Sequence, residues 1–451
     1  MNILYIYDSS QTYTNTVFDH LAALCTFSKS SAFFVHADMD CQATVDLSRF
    51  DAVCVHYSVR LPFDGLSPVV AHAVQTFGGM KFLFIQDEYD HTHRAWHWIK
   101  FLGIHLVFTV VPEAGIQKIY PPDEFPITRF VGNLTGYVPP AIAEATTVIP
   151  PSQRSLVIGY RGRPLPHRYG ALGFEKVAIG KMVREYCDQR GITRDITWTE
   201  NARIYGPAWI DFMRSCRATL GSESGSNVFD WDGSLRTRID AFAKGHPHAT
   251  AAEIYEQIVK PVELDGVMNQ ISPRIFEAIA ARTVLVLFEG AYSGVVQPDV
   301  HFIPLKKDGS NLDEVFRKLQ DSDYVDSMAE RAYQHVIGGG EFSYPAFVAM
   351  VDREVERSYQ ALKASGQLES AVRALPRVAE GPNVPITVHP IRGSLRSVKP
   401  RLLPSLEWST GVLKICVPVI LMWSHVPEPV RKALSPMAEF VKRALVSKGQ
   451  K

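Results

Sequence analysis

Between Ile271 and Asp308 the chain reads ISPRIFEAIAARTVLVLFEGAYSGVVQPDVHFIPLKKD, a stretch that few folds can accommodate. Arg274 to Ala281 has helical spacing, with Ile275, Phe276 and Ile279 on one apolar side and Arg274 and Glu277 three apart on another. Val284 to Phe288 is an unbroken apolar run, as a central parallel strand covered on both faces requires. Glu289-Gly290-Ala291-Tyr292-Ser293-Gly294 then reads as a strand-to-helix turn. In an open α/β sheet that turn lies at the carboxyl edge, where ligands bind and helix N-termini favour phosphate.

The rest of the chain repeats the pattern. Asn2–Tyr7, Ser31–His36, Asp51–Tyr57 and Lys81–Ile85 are apolar strands, and Thr14–Leu24 between the first two has helical spacing. Strands alternating with helices imply parallel βαβ units, so residues 1–150 are expected to form one Rossmann-like domain. The turn Asp8-Ser9-Ser10-Gln11-Thr12 lacks GxGxxG, so no dinucleotide cofactor is expected there. Pro150-Pro151 marks a linker, and Leu156–Tyr160 opens a second such domain over 151–340, with an insertion near 227–270. After Gly338-Gly339-Gly340 a long helix is expected within 341–365, on a mobile link that permits hinge closure. Residues 366–451 form an appendage.

Lys+Arg and Asp+Glu balance at 47 each in 451 residues, so no global field points to nucleic acid. Six cysteines without CxxC spacing read as free thiols of a reducing compartment, not as a disulfide frame or zinc site. Met1 leads straight into a strand with no recognisable secretory signal, so a cytoplasmic chain is expected and Asn133-Leu134-Thr135 reads as a chance glycosylation match.

Chemistry is expected at strand carboxyl ends. Asp87, Glu88 and Asp90 crowd three carboxylates at one of them, which should raise at least one pKa. Asp87 or Glu88 then suits a general base for an acceptor hydroxyl; alternatively two of the three cap the next helix. His93 and His97 have the i,i+4 spacing of metal ligands but no third ligand, so they read as a hydrogen-bonded rim beside Trp96 and Trp98. Asp230-Trp231-Asp232 reads as a turn before Gly233 rather than a cation site. No metal is expected.

Glu277-Ala278-Ile279-Ala280-Ala281-Arg282-Thr283-Val284-Leu285 resembles the Glu-Ala-Met-Ala-x-Gly-x-Pro-Val segment of glycosyltransferases built from two Rossmann-like domains, the GT-B architecture. Arg282 replaces the glycine and Val284 the proline, and the family's partner glutamate, eight positions upstream, falls on Asn269. Ser222-Glu223-Ser224-Gly225 resembles the turn that carries that glutamate, which implies Glu223 as the partner of Glu277, separated from the helix by the insertion of 227–270. Arg163, after Arg161-Gly162, and Lys176 match the two cations that clamp the diphosphate. The resemblance thus implies two Rossmann-like domains around a deep interdomain cleft, with the helix of 341–365 crossing back onto the first domain. It also implies a donor site of Arg163, Lys176, Glu223, Arg274, Glu277, Tyr292, Ser293 and Gly294, with Glu277 on the ribose and Ser293 and Gly294 facing the diphosphate. The sequence QDEYD…LGIHLVFT…LTGYVPP also resembles glycosyltransferase-like proteins of bacterial surface-polysaccharide clusters, over residues 1–365. The implied activity moves a sugar from a nucleotide diphosphate to a carbohydrate or lipid-linked acceptor, in surface polysaccharide synthesis. A nucleotide-sugar epimerase or a non-catalytic sugar-nucleotide-binding scaffold are the alternatives.

Residues 391–451 carry eleven Lys or Arg against three Glu. Val412–Trp423 is apolar yet too short to span a bilayer, and Glu428–Lys448 is a basic amphipathic segment. Together they read as an anchor for an anionic membrane surface, making the protein peripheral on the inner face of the cytoplasmic membrane; a partner-binding tail is the alternative.

Overall fold

The computed structural model describes residues 1–10, 15–42, 46–138 and 148–368. The tail, with its expected membrane anchor and Cys416, lies outside the described residues. Strands β1 (Asn2–Tyr7), β2 (Ser31–His36), β3 (Ala52–Val55), β4 (Met80–Ile85), β5 (Leu106–Thr109) and β6 (Arg129–Gly132) form a parallel sheet in the order β2-β1-β3-β4-β5-β6. Between them run helices α1 (Asn15–Phe27), α2 (Pro68–Thr76), α3 (Thr92–Leu102) and α4 (Glu113–Ile119). A second parallel sheet holds β7 (Leu156–Arg161), β8 (Arg194–Thr197), β9 (Cys216–Gly221), β10 (Val284–Phe288) and β11 (Phe302–Leu305) in the order β11-β10-β9-β7-β8. Its helices are α5 (Gly170–Arg190), α6 (Pro207–Ser215), α7 (Ser234–Gly245), α8 (Ala251–Ile254), α9 (Pro273–Ala280), α10 (Leu312–Gln320) and α11 (Ser322–Ala332). All five residues of β10 are buried, as its lack of polar–apolar alternation requires.

Helix α12 (Tyr344–Ala364) returns to the first sheet, where Tyr344, Phe347, Val348 and Val351 pack with Tyr5 and Phe84. Asp352 on it accepts from Ser28 Oγ and Lys29 N, both at 2.7 Å. The segment after β9 makes a second crossing. Asp230 N donates to Tyr89 O at 2.8 Å, His93 N donates to Trp231 O at 2.7 Å, and Phe229, Val267 and Met268 join the first domain's apolar core. The sequence pattern did not suggest this crossing, which is held by main-chain hydrogen bonds and shared core because the segment pairs with the loop after β4.

The turn after β10 also departs from expectation. No helix follows it: Tyr292, Ser293 and Gly294 take φ of 46°, 54° and 74°, and the chain passes through one tight turn towards β11. Consecutive left-handed residues break helical propagation, so no helix N-terminus is present there to hold phosphate. Among the described residues no helix is long and apolar enough to cross a membrane.

Candidate functional site

In an open parallel sheet, strands that leave one strand in opposite directions open a crevice at their carboxyl ends, and ligands bind there. In the second sheet that switch point lies between β7 and β9. Helix α5 brings Lys176 to it: its Nζ donates to Glu223 O at 3.1 Å and Ser224 Oγ at 3.2 Å. Helix α9 brings Arg274, whose Nη1 donates to Arg161 O at 2.7 Å and whose guanidinium stands 5.0 Å from the Trp209 ring. Burial, and then the neighbouring Arg274 charge, push the Lys176 ammonium down to about 8. Neither cation forms an ion pair with a described residue. Nearby Arg161, by contrast, is bonded to Asp195 at 2.8 and 2.6 Å. Two adjacent cations held only by neutral acceptors leave uncompensated positive charge at the sheet's ligand-binding edge.

The turn after β10 is pinned to this edge by Glu223. Its Oε1 accepts Ala291 N at 3.1 Å and Tyr292 N at 2.8 Å, and its Oε2 accepts Asn269 Nδ2 at 2.6 Å. Gly290 permits the approach, since a Cβ there would stand 2.7 Å from the carboxylate. Ser293 Oγ accepts Ile271 N at 3.0 Å, and at Gly294 a Cβ would meet open space. Glu277, on α9, accepts Trp209 Nε1 at 2.7 Å.

The residues singled out from the sequence therefore divide. Lys176, Glu223, Arg274, Ser293 and Gly294 gather at one edge, and Glu277 joins them through Trp209. Tyr292 turns its ring into the core against Phe302 and gives its hydroxyl to Phe288 O. Arg163 is exposed beyond β7, and its guanidinium bonds no described residue. Trp209 and Ser224 had not been singled out. Asn269 had been flagged only as the wrong residue at the family's glutamate position, which is where it bonds Glu223.

Across the cleft, Asp87 is exposed in a left-handed conformation, φ 58°, and accepts the Tyr89 hydroxyl at 2.8 Å. Glu88 is fully buried and bonded by Thr109 Oγ1. Its carboxyl is raised to about 8, but burial is the leading cause and the Asp87 charge a lesser one, so crowding was not the main origin. Asp230 accepts Leu235 N at 3.1 Å and Arg236 N at 3.3 Å, and Asp232 accepts Ser234 N at 2.9 Å, so both serve the start of α7. The His93 ring lies between Trp96 and Trp231, while His97 stacks on Phe101. No three His, Cys, Asp or Glu among the described residues are grouped to hold a metal ion.

The carboxyl ends of the two sheets share one cleft: Thr135 Oγ1 donates to Ile271 O at 2.6 Å, and Gln270 Nε2 bonds Val110 O. The architecture is GT-B. No family model matches the chain, and no curated protein sequence does. Solved structures with a similar fold include an alpha-glucosyltransferase in complex with UDP and a 13-mer DNA containing an HMU base, at 9% identity and a TM-score of 0.46 over 80% of this chain and 99% of that one. Anabaena Alr3699/HepE in complex with UDP and glucose aligns at 11% identity and a TM-score of 0.45, over 80% of this chain and 100% of that chain. A glycosyltransferase from Rickettsia africae ESF-5 aligns at 10% identity and 0.42, over 80% and 98%. The fold assignment stands on the two parallel sheets and their strand orders, not on these alignments.

Proposed function

We propose that the protein is a glycosyltransferase that takes a sugar from a nucleotide diphosphate bound at the second sheet. One observation carries the reading: Lys176 and Arg274 stand together at the β7/β9 switch point without ionic partners. A diphosphate supplies the missing charge, and fixed cations stabilise the charge that develops as it leaves. In the transfer an acceptor oxygen bonds to the anomeric carbon, the bond from that carbon to the diphosphate breaks, and the electron pair departs with the diphosphate. Arg163 has a free guanidinium and is assigned to the outer phosphate, Glu277 to the ribose, and Ser293 and Gly294 to the approach of the diphosphate. Glu223 acts by holding the turn, since both its oxygens are already engaged. Of the two first-domain carboxylates, Asp87 is the better base because it is exposed. Glu88, raised to about 8, is protonated at neutral pH.

The acceptor is a carbohydrate or lipid-linked alcohol, and the basic tail is assigned to an anionic membrane surface, a role tested by salt-sensitive sedimentation with anionic vesicles. The central test is a thermal-shift panel of nucleotide sugars, beginning with UDP-glucose, on the full-length chain. A ligand that binds only the native state raises the midpoint, by a stabilisation that grows with the logarithm of one plus the ratio of free ligand to Kd. No shift with any nucleotide sugar, or equal shifts for nucleoside and nucleotide sugar, would remove the diphosphate site. Release of nucleotide only when an alcohol acceptor is present separates transfer from epimerisation, which consumes no acceptor.

A further inference from the structure

A cavity of about 400 Å³ opens in the cleft, directly beside the turn after β10. That volume suits a small organic molecule. Its walls are unequal. Val110, Leu134, Phe342, Phe347 and Met350 line it with hydrocarbon and aromatic surface. Polar groups sit where Ser293 and Asn133 enter it, and Glu113 and Glu341 stand at its margin. The Ser293 hydroxyl oxygen already accepts Ile271 N, which leaves its proton to donate. Asn133 Oδ1 accepts the Tyr137 hydroxyl at 2.6 Å, and its Nδ2 bonds no described residue. Val110 O, which could have faced an acceptor, is taken by Gln270. Glu113 and Glu341 make no ion pair with a described residue.

We propose that this cavity receives an acceptor with an apolar body and a single hydroxyl-bearing head. The body fills the wall formed by Val110, Leu134, Phe342 and Phe347, and the head lies at Ser293 and Asn133. The inference rests on the donor reading of the second sheet, because Ser293 belongs to the donor turn and to the cavity wall. A saccharide of several rings would press hydroxyls against hydrocarbon, and a buried hydroxyl without a partner is unfavourable. An alkyl or aryl body meets no such penalty. Met350, unbranched and polarisable, can adjust to either shape.

The test uses full-length protein and the methyl, butyl and hexyl glucosides, kept below micelle-forming concentrations, with phenyl glucoside as a second arm. Affinity by calorimetry should rise with chain length by about fourfold per methylene until the cavity is full. A gain for phenyl over hexyl glucoside identifies a ring-shaped body, and the reverse a chain. Ala346→Trp fills the cavity from α12 and should weaken hexyl glucoside at least tenfold while leaving nucleotide-sugar affinity within twofold. Met350→Ser, which replaces apolar wall by hydroxyl, gives the same reading should the tryptophan variant not fold. A flat alkyl series, or hexyl glucoside binding unchanged in both variants, overturns the proposal. Loss of nucleotide-sugar binding alone, with the chain-length dependence intact, counts against the donor reading and leaves the cavity assignment standing.

Discussion

The two sheets place their strands in the same order around their first strand, so each has one switch point at its carboxyl edge, yet the two edges differ in every chemical respect. In the first sheet the point between β1 and β3 is closed by its own side chains. Asp8 lies 3.3 Å from His36 Nε2 and accepts Ser10 N, while Ser58 Oγ takes Asp8 N at 3.1 Å. His56 joins Ser58 to the buried His20, at 2.9 and 3.1 Å. In the second sheet the same topological position holds Lys176 and Arg274, neither in an ion pair with a described residue. Topology supplied the position twice; side-chain charge and partner count made one of the two a site. The first domain's opening has moved along the sheet to the ends of β5 and β6, where the cavity is.

The largest expected effect tests that contrast. Replacing both Lys176 and Arg274 by alanine should abolish measurable nucleotide-sugar binding, since a hydrogen bond to a charged group contributes about 1.5–3 kcal/mol. Either single change should cost less than the double change, and the two single losses should not sum to it, because neighbouring cations are coupled. Arg163→Ala, at an exposed position, should cost less than Arg274→Ala. Asp8→Asn in the first sheet should leave donor affinity unchanged. Calorimetry with UDP-glucose checks all four, and an equal loss from Asp8→Asn would erase the distinction between the two edges.

A second test compares two buried strand-end carboxylates. Glu88, after β4, has no cation and few donors, and its carboxyl is raised to about 8 from an ordinary 4.5. Its folded pKa lies above its unfolded one, so its contribution to stability is complete below about pH 4.5 and is lost as pH climbs to about 8. The slope reaches at most about 1.4 kcal/mol per pH unit. Urea unfolding at pH 5 and pH 8 should therefore show a steeper fall for the parent chain than for Glu88→Gln, which stays neutral throughout. Matching slopes would mean that Glu88 is ionised in the folded state.

Glu223, after β9, is held by donors instead. Glu223→Ala leaves Ala291 N, Tyr292 N and the Asn269 amide without their acceptor, at about 1–3 kcal/mol of unfolding free energy. The three left-handed residues that follow, Tyr292 to Gly294, lose the contact that fixes them, so donor affinity should fall together with stability. Glu223→Gln retains one acceptor oxygen and should recover part of both. A stable Glu223→Ala variant with unchanged donor binding would show that the turn holds itself.

How much of this could be read from the chain follows from range. The β10 strand and α9 were legible because local periodicity alone dictates them, whereas Lys176 and Arg274 entered the expected donor set only through the resemblance to the family. What the periodicity could not carry was partnership across sequence. Glu223 and Asn269 lie 46 residues apart, and only the folded chain brings them together. The turn at Tyr292–Gly294 reads in sequence like the start of a helix, because nothing local marks Tyr292 and Ser293 as left-handed. Glu88 was read as one of a crowd of acids, whereas the neighbours that bury it come from β5 and beyond. The second crossing between the halves was hidden for the same reason: Asp230-Trp231-Asp232 reads locally as a turn, and nothing in it announces the backbone pairing with Tyr89.

That crossing supplies the smallest expected effect, and it concerns the boundary between the two regions. Asp90 of the first domain is 6% exposed and faces Arg236 Nη2 at 3.1 Å and Arg168 Nε at 3.9 Å, both from the other half. Burial raises the Asp90 carboxyl, and the two arginines offset part of that rise. Arg236 is 39% exposed along its side chain, so water screens its share of the attraction. Arg236→Ala should thus lower unfolding free energy by less than about 1 kcal/mol at neutral pH. The deficit should shrink as pH falls, because a protonated Asp90 no longer gains from a facing cation, while the main-chain bonds of Asp230 and Trp231 continue to hold the crossing. Urea titrations of Arg236→Ala at pH 5 and pH 7 read both quantities. A loss exceeding that of Glu223→Ala, or one that grows towards low pH, would move the chief tie between the halves from the backbone pairing to this charge cluster.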